Sequence, residues 1–146
     1  MAKSAAAYKR KSGFLFHSDS ETTDGVWIAS PPFISLDDKT SVIELGETIL
    51  KVISSSKTNV EHPTDWKSIN KNLFDLAGVK SLSSFMNRIQ CCTIEELDGI
   101  ISVIPNRNLG AKEGFVPINE KKIMLKSISN LEDIGKALLN GFDLCD

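Results

Sequence analysis

Apolar residues recur at helical intervals along residues 42–53. Val42, Leu45, Ile49, Val52 and Ile53 fall on one face, the three-and-four spacing of a helix packed on a core. Ser41 precedes them and Glu44 follows three positions later, the spacing of a capping box. A helix is therefore expected from Ser41, fraying into Ser54-Ser55-Ser56. A second stripe, Trp66, Ile69, Leu73 and Leu76, follows Thr64 and Asp65, either of which can cap it, and Gly78 is placed to end it. Ser81 can cap a short third helix carrying Leu82, Phe85 and Met86. Leu131, Ile134, Leu138 and Leu139 predict a last helix over residues 130–140, capped by Ser129 or Asn130 and stopped at Gly141.

Elsewhere the pattern is that of strands. Phe14-Leu15-Phe16 predicts the first, and Val26-Trp27-Ile28 a return strand after turn-rich residues 18–25, where Asp24-Gly25 signals a hairpin. Pro31-Pro32 should end that strand, since proline cannot donate to a ladder. Residues 89–94 and 100–104 are rich in β-branched side chains and are joined through Glu95-Glu96-Leu97-Asp98-Gly99, a second hairpin signal. Residues 106–113 read as a polar loop. Gly114-Phe115-Val116-Pro117 and Lys122-Ile123-Met124-Leu125 read as short strands. Hairpin links without βαβ alternation predict an α+β single domain, a mainly antiparallel β-sheet with helices packed against it.

A chain of 146 residues fits one domain and buries roughly 68–70% of the surface it would expose unfolded, enough for a core without metals or disulfides. Formal net charge is −2, so charge gives no reason to expect a nucleic-acid partner. The one basic cluster is Lys9-Arg10-Lys11, after Lys3 and Tyr8. Residues 1–12 are expected to form a solvated basic arm, with the domain over 13–146. Ala5-Ala6-Ala7 leads straight into that cluster, which leaves no apolar segment for a signal peptide, and no run is long enough to span a membrane. Cys91, Cys92 and Cys145 are odd in number and read as free thiols of a reducing cytoplasm.

A cysteine or serine nucleophile needs a histidine held by a third group, and only His17 and His62 are available, neither in a recognisable motif. Cys91 and Cys92 would point to opposite faces of a strand and could not easily ligate one ion. No metal, cofactor or catalytic residue is expected, and the protein reads as a non-enzyme. A hydrolase with a Cys/His pair, or a small nucleic-acid-binding regulator using the basic arm, stands as an alternative. The carboxylates form two hairpin clusters, Asp19, Glu21 and Asp24, then Glu95, Glu96 and Asp98. Acidic tips speed encounter with a basic partner, and Trp27 or Trp66 could anchor it. Asp65 is expected to cap a helix and His62 to pack on Trp66.

Several stretches together resemble the CdiI family of contact-dependent growth inhibition immunity proteins. They are Phe14-Leu15-Phe16-His17-Ser18-Asp19, Ala29-Ser30-Pro31-Pro32-Phe33, His62-Pro63-Thr64-Asp65-Trp66, Leu76-Ala77-Gly78-Val79-Lys80-Ser81 with Phe85-Met86, Pro105-Asn106-Arg107-Asn108, and Gly114-Phe115-Val116-Pro117. His62, Pro63, Asp65 and Trp66 carry the most specific piece, as a fold or interface motif. Residues 1–12 lie outside the common pattern, and residues 108–113 hold less glycine than it has. The resemblance implies a cytoplasmic, non-catalytic inhibitor that binds the cognate C-terminal toxin domain of a CdiA-type surface protein. That toxin is expected to be a nuclease, held in a one-to-one heterodimer without direct nucleic-acid or membrane contact. The six hairpin carboxylates are the expected toxin-binding residues.

Overall fold

The computed structural model describes residues 2–146. Its centre is a seven-stranded sheet in which every strand pair is antiparallel. The strands are β1 (Lys3–Arg10), β2 (Gly13–Glu21), β3 (Trp27–Asp37), β4 (Gln90–Leu97), β5 (Ile100–Asn108), β6 (Phe115–Pro117) and β7 (Ile123–Lys126), and the helices are α1 (Val42–Ser54), α2 (Lys71–Ala77), α3 (Leu82–Met86) and α4 (Leu131–Asp143). The spatial order is β3-β2-β1-β4-β5-β6, and β7 pairs with the first half of β5.

The sheet is covered on both faces. One face holds Ala5, Ala7, Phe14, Phe16, Cys92, Ile94, Ile101 and Val103 against the apolar stripes of α1 and α4. The other holds Ala6, Tyr8, Leu15 and Cys91 against Leu73, Ala77, Phe85 and Met86 of the short helices α2 and α3. Side-chain alternation along each strand produces this split, with Leu15 facing one way and Phe14 and Phe16 the other.

The expected solvated arm over residues 1–12 does not form among the described residues 2–12, residue 1 lying outside them. Residues 3–10 are β1, paired on both sides, and Ala5, Ala6 and Ala7 are buried. Alanine has low strand propensity, but propensity yields to burial in a central strand. Here methyl-sized side chains let both helical layers approach. Pro31-Pro32 does not end β3 either. The strand runs through it at the sheet edge, where the register jumps from Phe33 opposite His17 to Ser30 opposite Ser18. The two prolines therefore occupy the irregularity and owe no ladder hydrogen bond.

The cap at Ser41 forms as expected, its hydroxyl accepting from the Glu44 amide, and Asn130 caps α4 through Asp133 in the same way. The expected second helix is broken: Asp65 caps a 3₁₀ turn (Trp66–Ser68), and α2 starts only at Lys71. Gly78 ends α2 at φ 73°. Gly141 does not end α4, which runs on to Asp143. A side chain there would press on Val103 and Cys92, so this glycine sets the distance between helix and sheet. Residues 106–108 extend β5 instead of opening a loop.

Candidate functional site

The sheet topology brings the two acidic hairpins to one end of the molecule. β2 and β4 flank β1 and both run antiparallel to it, so both finish beside its start. Ser4 lies opposite Asp19 on one side and Glu95 on the other, and Lys3 lies opposite Glu96. Neighbouring strands are about 4.8 Å apart, which puts the Asp19 and Glu95 backbones about 10 Å from each other in one row. Beyond them come the β2–β3 turn with Asp24 and the β4–β5 turn, Asp98-Gly99, with both residues at positive φ (52° and 77°) as a two-residue hairpin requires. Lys3, Lys57 and Lys126 are nearby by register and hydrogen bonding. Asp24, Glu95 and Asp98 are exposed, and Glu21 and Glu96 are half-buried.

Asp19 departs from the expectation of a hairpin tip. It sits within β2, where its carboxylate accepts from the Ser4 hydroxyl (3.3 Å) and lies 3.3 Å from His17 Nδ1. His17 is itself buried. Its Nδ1 contacts the Ser18 carbonyl at 2.9 Å and its Nε2 the Tyr8 hydroxyl at 2.9 Å. An Nδ1–H donated to that carbonyl leaves Nε2 to accept from Tyr8. Burial first, then the unfavourable interaction a phenolate would have with Cys91 and Asp19, pushes the Tyr8 phenol well above its ordinary range and keeps it a donor.

The His62-Pro63-Thr64-Asp65-Trp66 stretch clamps the first acidic turn. The Thr22 hydroxyl accepts from the amides of Asp24 and Val26, so its own hydrogen is directed to His62 Nδ1 at 3.0 Å. Asp24 lies 3.5 Å from the same nitrogen, and Trp66 packs edge-on against the imidazole at 5.1 Å. Asp65 caps the 3₁₀ turn through the Lys67 amide. Trp66 is nonetheless 51% exposed, and Trp27 and Leu97, at the same sheet end, are 41% and 51% exposed. The acidic end thus carries apolar side chains open to solvent beside its carboxylates, and protein interfaces combine apolar anchors with polar surroundings.

No hydrogen bond joins either imidazole to a thiol among the described residues. Cys91 and Cys92 do face opposite sides of the sheet. Burial pushes the Cys91 thiol up, and a hydrogen bond with Cys145, then burial, push Cys92 up. The Cys92 contact lowers Cys145 to about 7. Among the described residues no three His, Cys, Asp or Glu side chains converge as metal ligands, and no helix is long and apolar enough to cross a membrane.

A profile of the CDI immunity protein family matches residues 3–145. The chain belongs to that family. Two solved structures share its fold. A protein of unknown function from Neisseria meningitidis is 18% identical with a TM-score of 0.82, the alignment covering 100% of this chain and 96% of that one. The CdiA-CT/CdiI toxin and immunity complex from Yersinia pseudotuberculosis contains a chain 15% identical with a TM-score of 0.80, covering 100% and 98%. No curated protein matches the sequence. The family match begins at Lys3, so β1 is part of the immunity-protein fold.

Within this family member, sequence reasoning missed the residues that seat the acidic end. Ser56 donates to the Asp19 carbonyl (2.6 Å) and accepts from the Ser4 amide, and Ser20 accepts from the Lys57 amide, which ties the segment after α1 to β1 and β2. Isolated serines carry no spacing signal. Only the register reveals them.

Proposed function

We propose that this protein binds and neutralises the C-terminal toxin domain of a CdiA-type surface protein. It acts in the cytoplasm as a non-catalytic, one-to-one inhibitor that protects the cell from itself and its siblings. The observation that carries this reading is the convergence of Glu21, Asp24, Glu95, Glu96 and Asp98 at one sheet end beside the exposed Trp27 and Leu97. Asp19 supports that end from within β2. The Yersinia structure, a complex of toxin and immunity protein, supports a toxin as the partner. A nuclease carries a cationic groove for phosphates, and an acidic surface complements it. Protection at cellular concentrations asks for binding on the order of nanomolar, about −12 kcal/mol, over about 800 Å² on each partner.

Calorimetry against the toxin domain encoded immediately upstream, with a toxin-activity assay alongside, tests the reading. Tight one-to-one binding that abolishes activity is expected. The variant Glu95→Lys/Glu96→Lys/Asp98→Lys should associate about tenfold or more slowly at low salt, with the difference shrinking as salt rises. Unchanged association at low salt would place the interface elsewhere.

A further inference from the structure

We propose that the opposite end of the sheet is a binding groove for the phosphate backbone of nucleic acid, centred on Arg88. The β1–β2 turn and the start of β4 lie together there, Lys9 pairing with both Phe14 and Gln90. Two adjoining hollows open at this end, of 470 and 610 Å³, and both are lined by Arg10, Lys11 and Arg88. The first adds Lys9, with Asp38 as its single acidic group; the second adds only Ser12 and Asn87. The run that sequence reasoning set aside as a solvated arm is thus folded into a concave site and joined by a cation from a distant segment.

Three observations favour a phosphate chain. The Lys9, Lys11 and Arg88 side chains have no carboxylate partner among the described residues, whereas Arg10 is committed to the Ala77 carbonyl at 2.7 Å. The second hollow is lined by arginine, lysine, serine and asparagine alone, the side chains that contact phosphate and sugar. Arg88 also holds a left-handed backbone at φ 56°, where glycine would sit without penalty. A residue kept at a strained position points to a use for its side chain. No exposed aromatic lines either hollow, so recognition is of the backbone and not of sequence.

The test uses the full-length protein and a labelled, mixed-sequence 20-nucleotide single-stranded RNA, followed by fluorescence anisotropy from 50 to 200 mM salt. Saturable binding is expected, with log K falling against log salt at a slope of about −2, three contacts at roughly 0.7 each. Arg88→Gly should weaken binding about threefold or more and reduce the slope by about 0.7, while its melting temperature stays equal or rises because the backbone strain is relieved. Lys11→Gln should do the same to binding. Polyphosphate displacing the RNA supports a phosphate-chain site. Polyphosphate binding without RNA binding, equal displacement by polyglutamate, or full RNA binding by Arg88→Gly each overturns the proposal. The toxin takes no part in this experiment, so its outcome is independent of the inhibitor reading.

Discussion

The crossing of α1 and α4 rests on two glycines, and adding one methyl group should separate the helices. Gly135 of α4 faces the Val42 carbonyl at the start of α1, and Gly46 of α1 faces the Leu131 carbonyl at the start of α4. A Cβ built at Gly135 would overlap the Val42 oxygen. That obstacle is backbone, so no side-chain rotation relieves it. Overpacking a filled interior costs about 1–3 kcal/mol, and a backbone obstacle puts Gly135→Ala at the top of that range. Alanine in a helix interior returns about 1 kcal/mol of propensity, leaving a net loss of about 2 kcal/mol. At about 3 °C per kcal/mol for a domain of this size, the melting temperature should fall by about 6 °C. Gly141→Ala is the internal comparison. Its added methyl meets the side chains of Val103 (2.8 Å) and Cys92 (3.0 Å), which can yield, so its loss should stay within about 1 kcal/mol. Urea and thermal unfolding followed by circular dichroism decide the matter. A Gly135→Ala protein as stable as the parent, or more stable than Gly141→Ala, would refute the claim that backbone contact sets the helix crossing.

Tyr8→Phe leaves His17 Nε2 buried without a donor and should cost about 1–3 kcal/mol in urea unfolding; a midpoint equal to the parent's would show that water or a shifted ring replaces the phenol. Cys145 should be the thiol that iodoacetamide modifies in the folded protein, because Cys91 and Cys92 are buried and held protonated. Its hydrogen bond with Cys92 favours the thiolate and lowers its pKa to about 7, so the alkylation rate should rise through pH 7 and level off above it. Cys92→Ala removes that partner and should move the midpoint up toward an ordinary thiol, read by mass spectrometry of the labelled peptide. A profile that is the same in both proteins would dismiss the Cys92 contact.

The helices and hairpins that carry strong local chemistry were legible in the sequence. Ser41 with Glu44, Asn130, Gly78 and Asp98-Gly99 do locally what their residue types allow, and each element forms where they stand. What was not legible depends on the sheet. Ala5-Ala6-Ala7 has neither strand propensity nor an alternating pattern, because a central strand covered on both faces needs neither. Pro31-Pro32 reads as a terminator unless its strand is known to lie at an edge with an irregular register. Gly141 reads as a helix stop unless the approach of Val103 is known. The six carboxylates were legible as two separate clusters. Their placement on either side of β1, and the withdrawal of Asp19 into a network with Ser4 and His17, follow from the strand order.

That strand order also separates the charges by sign. A total of −2 averages two ends that differ in sign. The turns after β2 and β4 collect Glu21, Asp24, Glu95, Glu96 and Asp98, while the turn after β1 and the entry to β4 collect Lys9, Arg10, Lys11 and Arg88. An eight-residue β1 at about 3.3 Å per residue holds these ends roughly 26 Å apart. Charges so far apart are screened from each other at physiological salt, where the Debye length is about 8 Å. Each end therefore meets its surroundings as a separate charged surface. On the proposed readings, toxin binding at the acidic end would not weaken phosphate binding at the basic end, so the two surfaces can be reversed in charge one at a time and should fail one at a time.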